Sequence, residues 1–321
     1  MRATAPNIIC AGEMLVEIMR AEVGVPHAQV GAVYRGPFPS GAPCIFVDAA
    51  ARMGMASNLT AGMVGVIGND DFGKVILHKL EADGADVSSV RVDEGNTTGV
   101  AFVQYDRDGS RRFIFAAGAA GQLNESDIRN DFFAAVKCFH VMGSALTISR
   151  TSRKAVMKAI GLTVEAGGIV SFDPNLRPEM MPIDQILAIC EPVIRKTRIL
   201  LPNAQEAMML TGKGNAREAC ELLLGQGPEI VVLKEAKNGC TVYSRNEVIR
   251  VPGFEVNEVD PTGAGDSFGA AFIVEHLSGA SWRDAARFAN AVGALKVTSF
   301  GPMSAHSRDD LEKFMACRGS R

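Results

Sequence analysis

The sequence predicts an α/β protein: a mainly parallel sheet covered by helices, with a small β lid inserted in the first third of the chain. Two observations carry this expectation. Beyond about residue 120, apolar strand candidates alternate with helical stretches, the pattern of a parallel sheet whose crossovers are helices. Residues 21–39 and 100–115 break that pattern, with Gly, Pro, Val and polar residues that suit exposed loops and short edge strands better than core. The 321 residues, 47% of them hydrophobic, suffice for one large domain or two smaller ones. No internal repeat, low-complexity tract or long linker interrupts them, so residues 1–321 are read as one domain with lid segments at about 20–40 and 97–116.

Taken in order, residues 7–10 form a short buried strand that turns at Gly12, and 14–19 continue as an extended apolar segment. In the lid, Val-Ala-Phe-Val-Gln-Tyr at 100–105 and Arg-Arg-Phe-Ile-Phe at 111–115 flank a hairpin turn, Asp106-Arg107-Asp108-Gly109. Further strands are expected at 138–142, 169–172, 199–201 and 230–234, with helices at 152–165 and 205–210 between them. Crossovers of this kind are right-handed, and ligands collect at the C-terminal ends of such strands.

Charge narrows the range of partners. With 33 Lys+Arg against 36 Asp+Glu, a net charge of −3 and no sustained basic run, neither nucleic acid nor an anionic membrane is indicated, and a small molecule fits better. Cys10, Cys44, Cys138, Cys190, Cys220, Cys240 and Cys317 are scattered, without a Cys-x-x-Cys pair, as expected of reduced core residues. The apolar run before Glu13 is too short for a signal peptide, and no apolar run is long enough to span a membrane, so a cytoplasmic location is expected.

Asp260-Pro261-Thr262-Gly263-Ala264-Gly265-Asp266, running on through Ser267 to Ala271, is the stretch richest in chemistry. A glycine-bearing turn that opens a tightly packed helix gathers free N–H groups and the positive end of the helix dipole, which together favour an oxyanion. Asp266 stands where it can accept a proton from an attacking hydroxyl. A strand-to-helix turn with a capping Asp explains the glycines alone. The whole string resembles the second signature of the ribokinase-like (PfkB) family of sugar kinases. Ser40-Gly41-Ala42-Pro43-Cys44 is similar to the first signature, with Ile45 where the commoner form carries a sugar-binding Asn. Asn203-Ala204-Gln205-Glu206 matches the family's Asn-x-x-Glu motif between the two.

The resemblance, which spans Gly12 to Gly301, implies a ribokinase-like three-layer α/β/α fold and assigns roles. Asp266 is the implied base, and the amides of Gly263, Ala264, Gly265 and Asp266 form the anion hole. Glu17, Ser40, Gly41, Ala42 and Arg177 lie where the family binds sugar, with Arg177 of the Asp173-Pro174-Asn175-Leu176-Arg177 turn also within reach of phosphate. Leu15 replaces the Asn that ribokinases proper pair with the acid at 17. Asn203, Lys234, Ala236, Gly239, Gly263, Gly265 and Asn290 fall on the ATP side, with Ala236 where Gly is frequent. Glu206 is implied to place Mg²⁺ through water, and Asp260 with the 299–302 loop to hold K⁺. Apart from these family assignments, Asn203 and Glu206 read equally as a helix cap, Lys234 as a solvated strand-end lysine, and Asp173 with Asn175 as a self-bonded turn.

The expected activity is therefore ATP-dependent phosphorylation of a primary hydroxyl. Ala116 and its neighbours lack the Arg with which 2-keto-3-deoxygluconate kinases grip a carboxylate, and the 36–43 string is similar to tagatose and related ketohexose kinases. A neutral ketohexose, tagatose- or fructose-like, is expected, ahead of 2-keto-3-deoxygluconate or a nucleoside. A catalytically silent sugar- or nucleotide-binding regulator would be marked by loss of Asp266, the loop glycines or Glu206, all of which are present. Semi-exposed lid strands suggest a homodimer.

Overall fold

The computed structural model describes residues 5–108, 110–178 and 181–318; Met1 to Thr4 and Gly109 of the expected hairpin turn lie outside them. The chain runs β1 (Ile8–Ala11), β2 (Leu15–Arg20), β3 (Tyr34–Ser40), α1 (Ala42–Gly54), β4 (Ala61–Gly68), α2 (Asp71–Ala82), β5 (Asp86–Asp93), β6 (Gly99–Tyr105) and β7 (Arg111–Ala116). It continues through β8 (Cys138–Met142), α3 (Gly143–Thr147), α4 (Arg150–Glu165), β9 (Ile169–Asp173), α5 (Ile183–Ile194), β10 (Ile199–Leu200), α6 (Ala204–Thr211) and α7 (Ala216–Leu224). Then follow β11 (Ile230–Lys234), β12 (Cys240–Ser244), β13 (Val248–Val251), α8 (Ala264–Leu277), α9 (Trp282–Lys296) and α10 (Arg308–Arg318).

Nine strands form one sheet in the order β13-β12-β11-β10-β9-β8-β1-β4-β5. From β11 across to β5 every pairing is parallel, and β12 and β13 complete the sheet antiparallel. Strands buried on both faces need unbroken apolar sequence, and β1, β4 and β8 are buried along their whole length. One hydrophobic cluster carries residues of α1, α8 and α9, and the other carries residues of α4, α5 and α7. Helix α8 is buried from Asp266 to Val274; small residues such as Gly269, Ala270 and Ala271 let its neighbours pack close. All seven cysteines are free and six are buried. No helix among the described residues is long and apolar enough to cross a membrane.

A second sheet has the order β3-β2-β6-β7, with β2 parallel to β6 and the other pairs antiparallel. The apolar segment after Gly12 thus leaves the main sheet instead of prolonging β1. Phe113, Ile114 and Phe115 of its terminal strand β7 are exposed. Because the central strands run parallel, their C-terminal ends lie on one rim of the main sheet, where Met142 faces Asp173 and Asn203 bridges to Lys234.

Candidate active site

Gly263, whose φ is 77°, immediately precedes helix α8, and no side chain caps the helix. A Cβ at this position would lie 2.1 Å from the Pro302 carbonyl oxygen, so both the left-handed backbone and the close approach require glycine. The Ala264 amide donates to the Pro261 carbonyl at 3.3 Å, closing the turn that aims the rest of the helix start outward. Ile45 of α1, where the resemblance implies a sugar-binding Asn, lies against this turn: its Cγ2 is 3.1 Å from where that Cβ would stand. The turn therefore meets a methyl group instead of an amide.

Asp266 sits in the first turn of α8, buried. Burial and the nearby Asp173 carboxylate push its pKa up to about 7, against the pull of Lys234 and Arg177. A carboxyl poised there shifts between its proton-accepting and protonated forms around neutrality. Lys234, at the end of β11, makes an ion pair with Asp173 at the end of β9. Burial alone would weaken its hold on the proton, but Asp173, Glu206 and Asp266 reverse the sign and keep the ammonium charged. The Lys234 Nζ would be 3.5 Å from a Cβ added to Gly265, which places it directly beneath the helix start. Glu206 and Asn203 form a reciprocal capping box on α6: the Glu206 amide donates to Asn203 Oδ1 at 2.9 Å, and the Asn203 amide to Glu206 Oε2 at 2.8 Å. Glu206 Oε1 accepts from the Leu176 amide, and burial, then Asp173, raises its pKa. Both carboxylate oxygens thus hold the rim's backbone, which suits contact with a hydrated cation better than direct ligation.

Two buried glutamates, Glu13 and Glu17, lie near Arg177, and Glu13 also acts on Asp266. The Ser40 hydroxyl donates to Glu17 Oε1 at 2.8 Å, while Glu17 Oε2 and Glu13 Oε2 are buried without a hydrogen-bond partner among the described residues. Burial raises both pKa values, Glu13 to about 6, with Ser144 and Arg177 opposing the rise at Glu13. Gly41, with φ 103°, brings the start of α1 against Glu13: a Cβ there would lie 2.4 Å from the Glu13 carbonyl oxygen. Buried acceptors with no donor are the complement of a polyol's hydroxyl groups.

The expected residues therefore gather unevenly. Asp266, the Gly263–265 turn, Lys234, Glu206, Asp173 and Arg177 adjoin one another, with Glu17, Ser40, Gly41 and Ala42 on the Glu13 side. Asn203 is exposed and caps α6. The Asn290 amide nitrogen donates to the Val251 and Pro252 carbonyls, and Gly239, with φ 96°, lies against the Val251 carbonyl oxygen, so both hold backbone next to β13. Ala236 occupies an exposed turn with φ 50°. Lys234 is a paired, largely buried lysine, not a solvated one. The Asp173–Asn175 turn is self-bonded as expected, through the Asn175 amide to Asp173 Oδ1 at 3.2 Å. Sequence reasoning missed Glu13, Ser144 and Lys296. For Glu13 a signal existed: an acid at the end of an apolar strand and two residues short of the next.

Comparison with known proteins places the chain among carbohydrate kinases. A family profile described as pfkB family carbohydrate kinase matches residues 5–308. Fructokinase-2 of Oryza sativa subsp. japonica is 30% identical over 318 residues, which cover 94% of this chain and 92% of that one. An Escherichia coli protein provisionally named ribokinase II, solved with ATP and Mg²⁺, superimposes with a TM-score of 0.90 at 38% identity, covering 97% of this chain and 99% of that one. Fructokinase from Vibrio cholerae O395, solved with fructose, ADP and calcium, gives a TM-score of 0.83 at 28% identity and covers 97% and 99% of the two chains.

Proposed function

The chain belongs to the pfkB family of carbohydrate kinases, and from that premise we propose that it transfers the γ-phosphoryl group of ATP to a primary hydroxyl of a neutral ketohexose, fructose or a close relative such as tagatose. The observation that carries the substrate is the pair of buried glutamates: among the described residues Glu17 Oε2 has no donor within hydrogen-bonding distance, and at Glu13, whose Oε2 also makes no hydrogen bond, Ser144 is the side-chain donor close by. Such oxygens bind hydroxyl groups and repel a sugar acid. Relatives named fructokinase support fructose within that class.

In this reading Asp266 takes the proton of the attacking hydroxyl, and the α8 amides stabilise the charge that develops on the transferring group. Lys234 stands beneath the same turn and adds positive charge. Mg²⁺, placed through water by Glu206, would neutralise the nucleotide phosphates. The chain works as one domain, 1–321, with the second sheet as a lid that excludes water from the transfer. Free cysteines and the need for ATP support a cytoplasmic location.

Glu17→Gln tests the sugar side. Losing one charged hydrogen bond costs about 1.5–3 kcal/mol, so KM for the sugar is expected to rise about 10- to 150-fold while KM for ATP stays the same. An unchanged sugar KM would remove Glu17 from the sugar site. The exposed Phe113, Ile114 and Phe115 on β7 support a homodimer that pairs lids. Light scattering at micromolar concentration is expected to give twice the chain mass, and Ile114→Lys to halve it. A wild-type monomer would end that proposal.

A further inference from the structure

Asp260, the residue implied to hold K⁺, is fully engaged by donors of the chain itself. Its Oδ1 accepts from the Tyr105 hydroxyl at 2.9 Å and the Thr262 amide at 3.0 Å, and its Oδ2 from the Gly301 amide at 2.8 Å. Its main-chain oxygen accepts from the Lys296 ammonium at 2.9 Å. Lys296 is 0% exposed, a lysine wholly enclosed in the last turn of α9. The next residue grips the same place from the other side: the Val297 carbonyl accepts from the amides of Val259 and Asp260 at 2.7 and 3.1 Å. The Thr298 and Ser299 hydroxyls donate to the Leu295 and Lys296 carbonyls.

A helix C-terminus carries partial negative charge, and the Asp260 carboxylate adds a full one, so this spot requires a cation. K⁺ at Asp260 would have to share oxygens that each already accept a hydrogen bond from the chain, and would stand beside the Lys296 ammonium that one of them holds. The donor set does not fit a bound K⁺. The turn matters to the chemistry because it ends at Pro302, whose carbonyl oxygen fits against Gly263 with no room for a Cβ. What fixes residues 296–302 also fixes the start of α8.

We propose that the Lys296 ammonium is a built-in substitute for a monovalent cation: it neutralises Asp260 and the end of α9, holds the 296–302 turn against the anion-binding turn at Gly263, and makes turnover independent of K⁺. Lys296 touches no reacting atom and acts as a positioning residue. The activity arm of its test rests on the kinase reading; the melting arm does not.

ADP release and thermal melting are measured in potassium, sodium and tetramethylammonium chloride at equal ionic strength, for wild type, Lys296→Met and Lys296→Arg. Wild type is expected to keep one melting temperature, with rates within about twofold, whereas Lys296→Met in tetramethylammonium loses about 5- to 150-fold, the usual span of a coupling between sites. K⁺ is expected to restore the Lys296→Met rate and to raise its melting temperature more than Na⁺ does, a response that loss of packing alone would not produce. Lys296→Arg is expected to stay cation-independent. Wild type that needs K⁺ for turnover, or is stabilised by it, overturns the proposal, as does a folded Lys296→Met indifferent to K⁺. If Lys296→Met does not fold, wild type and Lys296→Arg decide by the same criteria. If no sugar is turned over, the melting shifts decide alone.

Discussion

Asp266→Asn is expected to bind ATP and sugar like wild type and to lose about 10²- to 10⁴-fold in kcat, the usual contribution of a positioned general base. The amide has the carboxylate's shape but accepts no proton, so the loss falls on kcat and leaves KM alone. Wild type carries its own signature of the same group. Burial and Asp173 hold the Asp266 pKa at about 7, and the base works ionised. The kcat/KM of wild type should therefore fall as pH drops through about 7, approaching tenfold per unit below it.

Stability gives the opposite sign. The folded pKa of Asp266 is raised above its unfolded value, so its ionisation destabilises the fold as pH climbs from about 4 to about 7. Asp266→Asn lacks that penalty and is expected to melt a few degrees (about 2–4 °C per kcal/mol) above wild type at pH 8. An Asn variant with wild-type turnover would remove Asp266 from the chemistry.

Gly263→Ala is expected to lose about 10²- to 10³-fold in kcat, the usual cost of one misplaced oxyanion donor. Its Cβ would stand 2.1 Å from the Pro302 carbonyl oxygen, on a backbone with φ 77°, so the turn must shift. Gly212→Ala separates strain from geometry. Gly212 ends α6 with φ 69° and nothing within 4 Å of an added Cβ, so it should lose about 1–2 kcal/mol of stability and no turnover. Equal turnover losses in the two variants would mean that backbone strain alone, and not the anion hole, is being measured.

Local chemistry was legible in the sequence where it is itself local. The expected strands at 138–142 and 230–234 coincide with β8 and β11, because short apolar runs bounded by polar turns specify buried parallel strands. The α8 turn was legible because its glycines and its acid fall within a dozen residues. Pairings across crossovers were not. Lys234 and Asp173 are 61 residues apart, and only the parallel register sets their strand ends on one rim, so Lys234 read as a solvated lysine. Lys296 has the position of an ordinary dipole-facing helix-end lysine, and its burial follows from the return of residues 259–260 against the end of α9. Glu13 looked like the end of an apolar run, and the departure of β2 into the second sheet turned it inward. Asn290, expected on the nucleotide side, also holds backbone: its amide nitrogen donates to the Val251 and Pro252 carbonyls, a pairing across 38–39 residues that its position alone did not show.

Coupled ADP release with Mg-ATP over fructose, tagatose, ribose, 2-keto-3-deoxygluconate and adenosine, with Asp266→Asn alongside, decides whether the chain is a neutral-ketohexose kinase with Asp266 as base. The highest kcat/KM is expected for fructose or tagatose, at least about 10²-fold above the sugar acid, as expected when buried carboxylates meet an unpaired like charge, with kcat about 10²- to 10⁴-fold lower in Asp266→Asn. Preference for the sugar acid, or an Asp266→Asn variant that keeps the wild-type kcat, would contradict that reading.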